Sequence, residues 1–218
     1  MNYKINISSS AKKVLKILKN NGFEGFVVGG CVRDSLLKKE PMDWDITTNA
    51  LPEEIISIFD KTIPTGLKHG TITVIVDNEP FEVTTYRIDG DYIDNRRPSK
   101  VQFVRNIKED LSRRDFTINA MAYNDEVGLI DFYNGIDDLN NKIIRSVGEA
   151  EKRFSEDALR MMRAVRFAAQ LNFEIEEKTK KAIVILSNNL KNVSIERIRV
   201  EFDKLILADS SYSFKINK

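Results

Sequence analysis

The sequence predicts an α+β fold in two parts, a mixed strand-and-helix region over residues 1–147 and an all-helical region over residues 148–218. Three observations carry this. Thr71-Ile72-Thr73-Val74-Ile75-Val76 and Phe81-Glu82-Val83-Thr84-Thr85-Tyr86-Arg87 alternate with period two on either side of Asp77-Asn78-Glu79-Pro80, the pattern of a hairpin. Helical spacing stands before it, over residues 10–20 and 51–59. From Glu149 onward only helical spacing is found, so the expected domain boundary lies near Val147.

Element by element, residues 10–20 read as a helix capped by Ser9 or Ser10, with Gly22 just past its end, feeding the core strand Phe26-Val27-Val28. A short helix over 31–38 follows the pair Gly29-Gly30. Asp43-Trp44-Asp45-Ile46 reads as a strand, and 51–59 as a helix opened by Pro52 and two acids. Between Ile88 and Lys100 apolar periodicity gives way to Asp, Gly, Asn, Arg and Pro, the chemistry of a functional loop. Residues 107–123 read as one helix, then Ile130-Asp131 and Ile143-Ile144 as short strands with Gly135 in the connecting turn. Helices are expected last over 149–170, 176–188 and 194–208.

Composition sets the bounds. With 31% charged and 42% apolar residues the chain is not of the disordered class, and 218 residues bury one good core or two modest ones. A net charge of +1 means that any nucleic-acid surface has to come from local clusters of Lys and Arg. The lone cysteine, Cys31, excludes an intramolecular disulfide and fits a reducing compartment. No apolar run approaches the roughly 18 residues of a membrane span, so a cytoplasmic location without a membrane partner is expected.

The most informative motif is Gly29-Gly30 before a short helix carrying Arg33 and Asp34, with Asp43 and Asp45 about ten residues on. Side chains i and i+2 of a strand share a face, so the two aspartates can converge on one hard divalent cation while Trp44 and Ile46 pack behind. The glycines leave backbone amides bare, and Arg33 would face a triphosphate. Alone, a Gly-Gly is usually a tight turn and an Asp-x-Asp a solvated loop; together they supply phosphate cradle, cationic clamp and metal pair, the parts of a nucleotidyltransferase site.

Other constellations are less specific. Glu82, on the second arm of the hairpin, is either a third carboxylate near the metal or a solvated edge residue. Arg113-Arg114-Asp115 offers forked donors for phosphate and an acceptor for ribose hydroxyls, or is a surface ion-pair cluster. Asp157 and Arg160 share a helix face as an acceptor and a donor able to mimic a base-pairing edge, or form an ordinary helical ion-pair set with Glu156. Arg163 and Arg166, then Arg197, Arg199 and Lys204, line an RNA-facing groove or a solvated helical face. Arg96-Arg97-Pro98 with Arg105 and Lys108 is the densest basic loop cluster, and His69 has the neighbours of a turn residue.

Together these residues resemble the class II tRNA nucleotidyltransferase and bacterial poly(A) polymerase superfamily, most closely the bacterial CCA-adding enzymes, from about Val14 to Leu207. The resemblance implies a polymerase beta-like nucleotidyltransferase head, with a mixed sheet flanked by helices, followed by an all-α neck. It implies that Asp43 and Asp45 hold two Mg²⁺ ions, one activating the primer 3′-hydroxyl and one stabilising leaving pyrophosphate. Glu82, read from its place on the hairpin, is the candidate third catalytic carboxylate. Gly29, Gly30 and Arg33 would hold the triphosphate, Arg114 and Asp115 would contact phosphate and ribose, and Asp157 and Arg160 would read CTP and then ATP, with Arg163 beside them. Residues 131–135 resemble a hinge-like motif and 194–204 a helix supporting the neck.

The implied activity is addition of CMP and AMP to the 3′ end of tRNA, with CTP, ATP and tRNA as partners. The loop over 88–100 has the length of members that also add A. Family members continue into helical body and tail domains, and this sequence stops at Lys218. The rival expectations are a poly(A) or A-only polymerase with the same head, and a non-catalytic nucleotide- or RNA-binding module.

Overall fold

The computed structural model of the protein describes residues 3–90 and 101–208. The loop expected over 88–100 therefore lies, from residue 91 on and including Arg96-Arg97-Pro98, outside the described residues. In chain order the helices are α1 (Ser9–Asn20), α2 (Gly30–Leu36), α3 (Pro52–Ile58), α4 (Ile107–Ser112), α5 (Gly135–Asn141), α6 (Ala150–Glu156), α7 (Leu159–Leu171), α8 (Glu177–Leu186) and α9 (Ile195–Ile206). The strands are β1 (Gly25–Val28), β2 (Ile46–Thr48), β3 (Thr62–Gly66), β4 (Thr71–Val76), β5 (Glu79–Thr85), β6 (Arg87–Asp89), β7 (Val101–Phe103), β8 (Met121–Asn124), β9 (Gly128–Asp131), β10 (Ile143–Ile144) and β11 (Glu174–Ile175).

Two compact units emerge. Of the described residues, 3–90, 101–114 and 118–135 form the first, and 115–117 and 136–208 the second. The boundary expected near Val147 thus falls inside the second unit. Part of the reason is that a strand segment without helical spacing, β10, pairs in parallel with β11 after α7, adding a strand pair to a region expected to be helical only. Residues 115–117 join it through backbone: Val147 N–H donates to the Asp115 carbonyl at 3.0 Å and Thr117 N–H to that of Arg145 at 2.9 Å.

The first unit is built on a seven-stranded mixed sheet ordered β3-β4-β5-β2-β1-β8-β9, in which only β2 and β5 run parallel. β1 lies inside it and all four of its residues are buried, which is why Phe26-Val27-Val28 reads as a continuous apolar run. The β4–β5 hairpin turns on Asp77 and Asn78, both at positive φ (54° and 64°), as a two-residue turn matched to strand twist requires. Pro80, expected in the turn, is already in β5. α1 and α3 pack on β1, β4 and β5, burying Ala11, Val14, Leu18 and Ile55. A separate cluster joins Phe26, Val28, Tyr86, Ile107, Leu111 and Ala122. The cap of α1 is Ser8, whose hydroxyl accepts from Ala11 N–H, rather than Ser9 or Ser10. Ser10 is instead buried in the first turn.

The single helix expected over 107–123 is three elements. α4 ends at Ser112, a short 3-10 turn covers Thr117–Asn119, and Met121–Asn124 is β8, paired on both sides by β1 and β9. Ala120, Met121 and Ala122 are wholly buried, and a fully buried strand carries no period that separates it from a helix. Gly135 opens α5 instead of sitting in a turn. The helix expected over 149–170 breaks at Asp157, whose backbone is extended (φ −142°, ψ 102°). In the second unit Phe116, Phe154 and Met161 are core, with the Phe116 ring edge-on to Phe167 at 5.8 Å. Among the described residues no helix is long and apolar enough to cross a membrane.

Candidate active site

In the first unit the site begins at Gly29. Its backbone (φ 82°, ψ −128°) is open to glycine alone, because an L side chain there is strained. The space a Cβ would take is filled: it would stand 2.9 Å from Nη1 of Arg114. A Cβ on Gly30 would meet Nη2 of Arg33 at 3.7 Å. Both arginines therefore lie against the glycine pair, from α2 and from the end of α4. The amides are less open than expected, since the Gly29 N–H donates to the Met121 carbonyl at 3.1 Å. The Gly30 N–H belongs to the first turn of α2, where intrahelical acceptors are missing.

Arg33 is buried, and its guanidinium is oriented on three sides by Asp34 Oδ1 at 2.8 Å, Asp34 Oδ2 at 3.0 Å and Asn119 Oδ1 at 2.7 Å. Arg114 is set by Asp110, a wholly buried acid that accepts from Nε and Nη2 of Arg113 at 3.0 and 2.8 Å, from the Thr47 hydroxyl at 3.2 Å and from Arg87 N–H at 3.3 Å, with Arg114 Nη2 at 3.6 Å. Burial pushes the Asp110 carboxyl up, but the Arg113 and Arg114 guanidiniums outweigh it and hold the group below the usual carboxylate range. Sequence reasoning missed Asp110 and Asn119. The signal for Asp110 was present: Ile107 and Leu111 define the buried stripe of α4, and Asp110 falls beside it.

Asp43, Trp44 and Asp45 are not strand residues but the approach to β2, which starts at Ile46. Pairing reaches back only through the Asp45 carbonyl, which accepts from Val28 N–H at 3.0 Å. Parallel register places Ile46 opposite Val83, so Asp45, just before β2, and Glu82, within β5, each stand one residue earlier. The Asp45 residue is open to solvent on one side, yet packing around its carboxyl, then the negative fields of Asp43 and Glu82, push it up to about 6 against the pull of Arg114. Two carboxylates next to an acid that resists ionising make an excess of hard oxygen donors, which suits a divalent cation. Among the described residues no group of three His, Cys, Asp or Glu side chains is arranged to hold an ion. Glu82 is exposed, and its charge adds to the negative field at Asp45. Cys31 is buried behind this site; burial, then the Asp45 charge, pushes its thiol up to about 12, which leaves it unreactive.

The second unit assembles the other predicted residues. Asp115 accepts from Phe116 N–H at 2.8 Å on Oδ1, while Oδ2 takes a two-pronged contact from Arg163, Nε at 2.8 Å and Nη2 at 2.7 Å. Arg163 reaches Glu201 at 3.6 Å, and Glu201, itself buried, accepts from Arg166 Nε at 2.5 Å. Arg166 also stacks on Phe167, 4.0 Å from the ring centre, so it is an interior residue rather than a solvated or RNA-facing one. Asp157 and Arg160 do not share a helix: Asp157 sits in the break and pairs with Arg197, while Arg160 pairs with Glu156 at 3.0 Å. Arg199 is solvated, 3.7 Å from Asp203. Arg105 donates to the Asn49 carbonyl, Lys108 lies 5.6 Å from the Phe132 ring centre, and His69 ends a 3-10 turn whose carbonyl takes an Arg87 donor.

Residues 25–145 match the family model described as the poly A polymerase head domain, and residues 172–215 match a probable RNA- and SrmB-binding site of polymerase A. The chain belongs to the poly A polymerase head-domain family. Relatives of this head-domain chain include a CCA-adding enzyme of Lactobacillus delbrueckii subsp. bulgaricus, 52% identical over 96% of the chain and 53% of the relative. Another, of Staphylococcus epidermidis, is 48% identical over 96% of the chain and 53% of the relative. Among solved structures, the Bacillus stearothermophilus CCA-adding enzyme in complex with CTP matches with a TM-score of 0.84 at 46% identity, covering 90% of this chain and 48% of that one. The Thermotoga maritima CCA-adding enzyme complexed with tRNA_CCA matches at 0.75 and 27% identity, covering 93% and 48%. The chain spans about half the length of the curated relatives it matches. The first unit has the nucleotidyltransferase head fold of these structures.

Proposed function

We propose that this chain adds CMP and AMP to the 3′ end of tRNA without a nucleic-acid template, a reading supported by relatives that are named CCA-adding enzymes. The observation that carries the reading is the Asp43–Asp45 pair, with an Asp45 carboxyl pushed up to about 6 by burial and then by the Asp43 charge, beside a glycine turn flanked by Arg33 and Arg114. Asp43 and Asp45 would hold two Mg²⁺ ions, which when bound supply charge neutralisation and activation at the reacting phosphate. Glu82 deepens the negative field at the pair. Arg114 lies both against Gly29 and within the field of Asp45, which suits it to the triphosphate, and Arg33 is set at the same turn by Asp34 and Asn119. Asp115, oriented by Arg163, offers an acceptor to the ribose, and Asp157 with Arg160 reads the base. Structural neighbours include CCA-adding enzymes in complex with CTP, with tRNA and with ATP, which supports the same partners here. A buried free thiol at Cys31 supports a reducing, cytoplasmic setting.

The test is incubation with magnesium, tRNA lacking its 3′ CCA, CTP and ATP, followed by sequencing of the 3′ ends. Ordered CCA is expected. A-tails would replace the reading with poly(A) addition, and nucleotide binding without release of pyrophosphate would reduce the chain to a binding module.

A further inference from the structure

A carboxylate and a guanidinium as close in sequence as Asp157 and Arg160 have an easy alternative to reading a base, which is to neutralise each other. In this structure each is anchored by a third residue. Arg160 donates to Glu156 Oε2 at 3.0 Å and to the Arg153 carbonyl at 3.3 Å. Asp157 accepts from both prongs of Arg197, at Oδ1 from Nη1 at 3.2 Å and at Oδ2 from Nη2 at 2.8 Å, and Oδ1 also accepts from Leu159 N–H at 3.1 Å. A carboxylate offers about four acceptor directions. Three are taken, and the fourth lies on Oδ2.

We propose that Arg197 is a specificity-positioning residue for base selection. Its planar fork holds the Asp157 carboxylate away from Arg160 and turns one free acceptor direction toward the base. An exocyclic amino group, present on cytosine and adenine, donates to that acceptor; the carbonyl that uracil and guanine carry in the corresponding place meets it lone pair to lone pair. The arginine comes from a fixed support, because α9 is tied to α7 by Arg166–Glu201 at 2.5 Å and by Gln170 donating to the Lys204 carbonyl at 3.1 Å. Lysine replaces it only in part, since it keeps the charge but its rotating donors do not fix the plane of a carboxylate. The proposal rests on the reading of Asp157 and Arg160 as base selectors.

The experiment measures equilibrium binding of CTP, ATP, UTP and GTP to the 218-residue chain and to its Arg197→Gln and Arg197→Lys variants, with a thermal melt of each. The unmodified chain is expected to prefer CTP and ATP. Arg197→Gln should reduce that preference by about tenfold or more, with UTP and GTP gaining relative to CTP and ATP. Arg197→Lys should fall between, and it decides the matter alone if the Gln variant does not fold. An unchanged preference in the folded variants, an equal loss for all four nucleotides, or no preference in the unmodified chain overturns the role of Arg197. Selective binding without incorporation into tRNA would overturn the enzymatic reading and leave the positioning role standing.

Discussion

Asp45 carries opposed demands. Its carboxyl must be ionised to take a cation, yet its surroundings resist ionisation, and the pH dependence of both stability and activity follows. Because the folded value, about 6, lies above the ordinary aspartate value of 3.8, the folded state binds the proton more tightly between these limits, and stability falls as pH rises through that window. Above about 6 the destabilisation is fully present. Asp45→Asn is therefore expected to raise the melting temperature well above pH 6, to leave it unchanged below 3.8, and to abolish nucleotide incorporation at every pH. Melting curves and primer extension check this; a variant destabilised at neutral pH would remove the electrostatic account of the site. Cys31, whose Sγ lies 4.0 Å from the Asp45 backbone carbonyl, keeps its proton through this range and takes no part in the balance.

At the scale of elements, α4 does more than cover the sheet. It presents Asp110, fully buried, to Arg113, Arg114 and Thr47, so one acid of a short helix fixes both the packing on β2 and the guanidinium at the Gly29 turn. Replacing one partner of a buried ion pair leaves the other charge uncompensated, a loss of about 3–5 kcal/mol. Asp110→Ala is expected to destabilise by that amount in denaturant unfolding. The sign of the pH effect is opposite to that at Asp45: a folded value held below 3.8 gives stability that is present above 3.8 and lost as pH falls through the folded value. In the Ala variant that acid-range loss of stability should shrink. The break at Asp157 is the second elemental feature with consequences. A continuous helix over 149–170 would have put Asp157 and Arg160 on one face; the extended Asp157 instead delivers its carboxylate to Arg197.

For the whole molecule, the near-neutral net charge of +1 means that the proposed cation site is a property of one cluster rather than of the chain. Adding Mg²⁺ is expected to raise the melting temperature of the unmodified chain, by about 2.7 kcal/mol of stabilisation at a hundred times the dissociation constant, and chelation should reverse it along with activity. The same titration on Asp45→Asn should leave the melting temperature flat. A magnesium-induced shift that survives this substitution would move the ion elsewhere.

Much of the head was legible from the chain alone. The hairpin follows from the alternation of β4 and β5, and the α1–β1 entry from a serine cap and an apolar run; the Gly29 turn into α2 was also read from the chain, whereas Asp43 and Asp45, expected in a strand, lie just before β2. What the sequence by itself determined is thus the local pattern and the inventory of donors, acceptors and charges. Only the tertiary structure decided three further things. It turned residues 121–124 into a strand, because pairing on both sides by β1 and β9 outweighs helical propensity. It brought Asn119 to Arg33 from 86 positions away, and Arg197 to Asp157 from 40. It also set the charge state of Asp45, since burial, the largest cause of its raised pKa, and the charges of Arg114 and Glu82 come from chain packed around it, with only the Asp43 charge supplied by its neighbour in sequence.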